Sequence, residues 1–173
     1  TSRGLECIDF AEQVLGITLV PWQKWLLVHA LEINDDRTFR FRTVLLLIAR
    51  QNGKSTLMQI LSLWRMYVDG APFVIGTAQN LDIAEEVWQG AVDMAEEVPE
   101  LAAELDQVLK QPGKKYFRLT SGSRYKVQAA SRRGGRGLSG DLVILDELRE
   151  HQNWEAWAAV ANTTMAREFA QVW

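Results

Sequence analysis

The chain has 173 residues, 19 Lys and Arg against 22 Asp and Glu, a formal net charge of -3 and one cysteine. That length suits one domain with its own core, and 47% apolar with 24% charged residues is the balance of a folded protein, not a disordered one. Cys7 alone excludes an internal disulfide framework and a cysteine-rich zinc site, and the longest apolar run, Val44 to Ala49, is too short to cross a bilayer. Residues 1–20 carry acids where a signal peptide has a basic start, so the pattern is that of a soluble protein from a reducing compartment.

In chain order, apolar spacing of three and four residues predicts helices over Leu5–Leu15 and Trp22–Ile33, joined around Pro21. Phe41–Ala49 becomes continuously apolar, as in a strand covered on both faces. A helix over Lys54–Val68 follows, then a short strand over Pro72–Ala78 and a long helix capped by Asn80 and reaching Val98. Lys115–Leu119 and Arg124–Ala129 flank T-S-G-S as a hairpin, and Asp141–Asp146 is a further buried strand. Helix returns over Trp154–Met165, and Phe169–Trp173 begins a strand with no turn after it, as in a fragment of something longer. Strands alternating with helices imply an α/β fold: a mostly parallel sheet, helices on both faces and an added antiparallel hairpin.

Charge is segregated along the chain. Leu81–Asp106 contains nine acids and no base; Gln107–Gly140 contains nine bases and no acid. The acidic stretch fits a solvated helix face, whereas clustered Lys and Arg also suit contact with a polyanion.

The most informative segment is L-L-L-I-A-R-Q-N-G-K-S-T-L, residues 45–57. A phosphate-binding loop needs a buried strand, a tight turn exposing backbone N–H groups, and Gly-Lys-Ser/Thr opening a helix. Gly53 permits close approach, Lys54 reaches β- and γ-phosphates, Ser55 offers its hydroxyl to Mg²⁺, and Thr56 is placed for the α-phosphate. The first glycine of the usual pattern is replaced by Ile48, while Arg50 adds a cation inside the loop. About 90 residues later, D-L-V-I-L-D-E ends a strand in two carboxylates. Asp146 suits Mg²⁺, and Glu147 suits the general base that polarises an attacking water, the arrangement of RecA-like (ASCE) P-loop ATPases.

Gln23, in V-P-W-Q, carries a carboxamide able both to donate to and accept from an adenine edge. Arg136, in R-R-G-G-R-G, suits a finger that neutralises transition-state charge, in its own subunit or a neighbour's; contact with DNA phosphates or plain solvation are the other uses of such a loop. His29 and His151 are too few for a zinc site, Cys7 reads as a buried apolar residue, and the seven tryptophans read as packing.

Together V-P-W-Q, A-R-Q-N-G-K-S-T, G-T-A-Q-N and G-R-G-L-S-G-D-L-V-I-L-D-E resemble the large terminase subunit of tailed bacteriophages, over roughly Leu19–Trp173. The resemblance implies that residues 1–173 are the N-terminal ATPase domain of a motor that uses ATP and Mg²⁺ to drive double-stranded DNA into a procapsid in the host cytoplasm. It implies as partners the portal protein, the small terminase subunit and further copies in a ring, and a C-terminal nuclease domain not present in this sequence. By the same resemblance Gln23 reads adenine, Arg50, Gln51, Asn52, Gly53, Lys54, Ser55 and Thr56 cradle the triphosphate, and Asp146 organises Mg²⁺. Glu147 is then the general base, and Arg136 matches a trans-acting finger. D-E-L-R-E departs from the family's D-E-x-H, so Arg149 inherits no role. A fragment of this kind binds nucleotide better than it hydrolyses it. The other readings are a helicase-like P-loop ATPase and a non-catalytic DNA- or portal-binding module.

Overall fold

The computed structural model describes residues 1–129, 139–147 and 155–173, apart from the side chains of residues 155, 156, 159 and 163. The chain opens with α1 (Gly4–Asp9), continued by a π-helical turn over Phe10–Val14, and α2 (Pro21–Ala30). After α3 (Lys54–Tyr67) come β1 (Phe73–Ala78), α4 (Leu81–Glu97), α5 (Pro99–Ala102) and β2 (Leu105–Leu109). β3 (Tyr116–Leu119), β4 (Arg124–Val127), β5 (Leu142–Asp146), α6 (Glu155–Thr164) and β6 (Gln171–Val172) complete it.

The sheet order is β2-β3-β4-β1-β5-β6. β4, β1, β5 and β6 are parallel, and β3 turns the other edge antiparallel by pairing with β4 and β2. Every residue of β1 and β5 is buried, and alternation sends their side chains to two different layers. Val74, Leu142 and Ile144 join the larger core with α1 to α4, whereas Phe73, Ile75 and Val143 pack with Val160 of α6 and Val172. Helices therefore cover both faces, as expected of a doubly covered parallel sheet. The hairpin, the Asn80 cap (its side chain accepts from the Asp82 N–H at 3.1 Å) and the buried acid-tipped strand stand where the sequence puts them.

Phe41–Ala49 is the correction. It forms no ladder; a single parallel bridge joins Thr43 to Val172, with the Val44 N–H donating to the Val172 carbonyl and the Val172 N–H to the Arg42 carbonyl, both at 2.8 Å. The segment lies at the sheet edge with alternate residues exposed, Leu45 by 63% and Leu47 by 84%, while Val44 and Leu46 pack inward. An unbroken apolar run gives no alternation from which a half-covered strand could be read.

α3 is fastened to β5 at both ends. Its 14 residues span about 21 Å, at ~1.5 Å per residue. At the far end Arg65, fully buried, pairs with Asp69 at 2.5 Å and donates to the carbonyls of Asp141 (2.7 Å) and Phe169 (2.8 Å). Burial holds the Arg65 guanidinium at a pKa of about 10, the Asp141 charge opposing that fall. The near end of α3 carries the phosphate-loop candidates.

Candidate active site

The segment before α3 turns through left-handed backbone at Gln51 (φ 60°) and Gly53 (φ 81°). The second is the N-cap of α3, where a side chain is excluded twice over: by φ, and because a Cβ would sit 2.8 Å from Gln23 Nε2. Two carboxamides tie back the carbonyls of this turn. Asn52 Nδ2 donates to those of Ala49 and Arg50, both at 3.1 Å, and Gln23 Nε2 donates to that of Gly53 at 3.1 Å. The backbone N–H groups from Arg50 to Thr56 meanwhile donate to no acceptor among the described residues. A turn with its carbonyls retained and its N–H groups free, at the positive end of a 14-residue helix, has the polarity of an anion receptor.

The acids arrive from the sheet. Asp146 follows Ile144 by two residues and so shares its face, the face that α3 covers. There its carboxylate, 6% exposed, meets Lys54 of the first turn of α3: Nζ lies 2.5 Å from Oδ1. The same oxygen accepts from the Glu147 N–H at 2.8 Å. Glu147 itself is held at φ 52°, a left-handed conformation uncommon for a residue with a side chain, at the step from strand to loop. Burial keeps the Tyr125 phenol well above its ordinary range, and the Asp146 charge adds to the rise.

The pair Gln23–Gly53 and the trio Lys54–Asp146–Glu147 thus meet at the Gly53–Lys54 peptide, while Asn52 braces the turn beside them through the carbonyls of Ala49 and Arg50. Ser55 and Thr56 lie in the first turn of α3, and Arg50 is exposed with no ion pair among the described residues. Arg136, Arg149 and His151 lie outside the described residues. No group of three or more His, Cys, Asp or Glu able to hold a metal occurs among the described residues. One carboxylate and one hydroxyl beside an anion-receiving turn nevertheless suit Mg²⁺, which takes one or two carboxylates and fills its shell with phosphate oxygens and water.

The charge segregation is partly closed inside the molecule. Lys110 pairs with Glu96 (3.2 Å), Arg118 with Asp106 (2.6 Å), and Glu85 accepts from the Gly113 N–H (2.9 Å). Lys115 and Arg124 lie over the rings of Trp88 and Phe73. What spacing could not reveal was the second use of the two carboxamides. Nothing in V-P-W-Q or R-Q-N-G-K-S says that Gln23 and Asn52 bond to main-chain carbonyls, because the Gln23 partner lies 30 residues away.

No family model and no curated protein sequence matches the chain. Solved structures do. The HK97 bacteriophage large terminase superposes with a TM-score of 0.80 at 25% identity, over 99% of this chain and 37% of that one. The ATPase domain of the Thermus phage P74-26 large terminase superposes with a TM-score of 0.62 at 20% identity, over 93% of this chain and 66% of that one. The chain therefore spans less than two thirds of either protein. Its structural neighbours are a phage large terminase and the ATPase domain of another, and its mixed α/β fold is RecA-like.

Proposed function

We propose that this chain, structurally similar to phage large terminases, is the ATPase domain of a DNA-packaging motor, hydrolysing ATP to move double-stranded DNA into a procapsid. The observation that carries the reading is the 2.5 Å contact between Lys54 and Asp146, which brings the loop lysine and the strand-end acids to one rim of the sheet. In parallel α/β sheets that rim, at the carboxyl ends of the strands, is where ligands bind.

In this reading the N–H groups of residues 50–56, unpaired among the described residues, and the dipole of α3 take the phosphates, with the Lys54 ammonium and the Arg50 guanidinium supplying charge. Asp146 and the Ser55 hydroxyl would hold Mg²⁺, which when bound neutralises charge on the phosphate oxygens. Glu147 takes a proton from the water that attacks the γ-phosphorus as the bond to the β,γ-bridging oxygen breaks, leaving ADP and phosphate. Arg136 is the candidate finger. Double-stranded DNA, the portal protein, the small terminase subunit and neighbouring copies in a ring are the partners that the reading entails. The terminase neighbours favour it over a helicase-like ATPase. The test is calorimetric titration of ATP with Mg²⁺ into the folded protein. Binding at a single site that Lys54→Ala weakens by about 10- to 100-fold is the expected result, and no binding overturns the reading in favour of a non-catalytic module.

A further inference from the structure

We infer that Gln23 is a positioning residue for the phosphate loop, locking the Gly53–Lys54 peptide so that the Lys54 N–H faces the bound anion. The inference rests on the ATPase reading above. Gln23 is 5% exposed and both ends of its carboxamide are engaged. Its Oε1 accepts from the Val20 N–H at 3.0 Å, and its Nε2 donates to the Gly53 carbonyl at 3.1 Å. The two partners fix the orientation of the amide, because a backbone N–H only donates and a carbonyl only accepts.

The Gly53 carbonyl also accepts the Leu57 N–H at 3.1 Å, the first turn's bond in α3. Two donors therefore hold that oxygen, one from the helix below and one from Gln23 at the side. In a trans peptide the N–H points opposite to the C=O. Pinning the Gly53 oxygen thus turns the Lys54 N–H away from Gln23 and outward from the turn. Without the carboxamide only the helical bond would orient this peptide, next to a glycine already in left-handed backbone. Each end of the carboxamide keeps capacity for one more bond, a second N–H on Nε2 and a second lone pair on Oε1, so contact with a base edge and the hold on Gly53 have to be told apart by their ligand dependence.

The two roles separate by ligand. Inorganic tripolyphosphate, ATP and GTP, each with Mg²⁺, are titrated into the wild-type protein, Gln23→Met and Gln23→Glu, with thermal melting as the check on folding. A positioning role weakens all three ligands by one common factor in Gln23→Met, roughly 3- to 10-fold for the lost hydrogen bond to the loop, and leaves the ATP-to-GTP ratio unchanged. Gln23→Glu offers no N–H to Gly53 while ionised, and its loss is at least as large at neutral pH. Relative to wild type, that variant recovers as the pH is lowered, because a protonated carboxyl again donates to Gly53 while accepting from Val20. A loss confined to ATP, with tripolyphosphate and GTP unaffected, overturns the inference and makes Gln23 a base reader, and so does the absence of any loss. Failure of the wild-type protein to bind all three overturns the ATPase reading itself, and the inference with it.

Discussion

Lys54 Nζ lies 2.5 Å from Asp146 Oδ1, so the cation of the loop is held by the acid at the end of β5. An incoming polyphosphate has to take the ammonium from the carboxylate. Asp146→Asn removes that competition and should tighten tripolyphosphate binding in metal-free buffer by roughly fivefold, the scale of one partly exposed ion pair, while abolishing the gain that Mg²⁺ gives the wild-type protein. Lys54→Ala should weaken binding about 10- to 100-fold with or without metal. Calorimetry in EDTA and in Mg²⁺ separates the two, and unchanged metal-free affinity in Asp146→Asn would show that the pair does not gate the loop.

Glu147→Gln keeps the size and the backbone of the residue after Asp146 and removes only its basicity. ATP binding should persist and phosphate release should fall by about 10²- to 10⁴-fold. Phosphate release measured beside ATP binding decides it, and undiminished turnover would take the general-base role from Glu147.

Arg65 ties the far end of α3 to the carbonyls of Asp141 and Phe169 and to the Asp69 carboxylate. Arg65→Met leaves those acceptors buried without their donor and should cost about 3 kcal/mol in urea unfolding. Lysine in its place should restore little, since an ammonium lacks the planar fork that reaches three acceptors.

Leu47 is 84% exposed at the sheet edge, where its backbone has no partner among the described residues. Leu47→Lys should change stability by less than about 0.5 kcal/mol, yet lower self-association at high concentration, because charge on an open edge discourages strand addition. Light scattering against concentration is the measurement. Leu46, packed against the core, should not tolerate the same change.

Cys7 is fully buried, and burial, assisted by Glu6, pushes its thiol far above the usual range. The native protein should resist iodoacetamide at pH 8 and react once unfolded. The group favours its neutral form in the fold, so its contribution to stability is intact at neutral pH and declines above about pH 9, where the unfolded thiol ionises. Denaturation at pH 7 and pH 10 checks the sign, best against Cys7→Ala.

Much of the architecture was legible because it depends on local chemistry. Asn80 caps, Pro21 starts a helix, Gly53 ends the loop, and V-I-L before Asp146 is too apolar for anything but a buried strand. Gly-Lys-Ser and Asp-Glu could be paired by chemistry alone, and their contact follows from the alternation that puts Asp146 on the α3 face. Non-local facts stayed hidden. β2 was not foreseen, since L-D-Q-V-L is half polar and becomes a strand only by pairing with β3. The edge position of residues 41–49 depends on β6, over 120 residues downstream, and the burial of Arg65 depends on backbone carbonyls that no side-chain pattern announces.

Val172 and Trp173 lie between the segment that leads into the loop and the strand that ends in Asp146, bonded to Arg42 and Val44 on one side and to Val143 and Leu145 on the other. Two consecutive residues thus join by backbone bonds the segment that enters the loop at Arg50 and the strand that delivers Asp146, so the spacing of the two halves of the site is set through this one dipeptide.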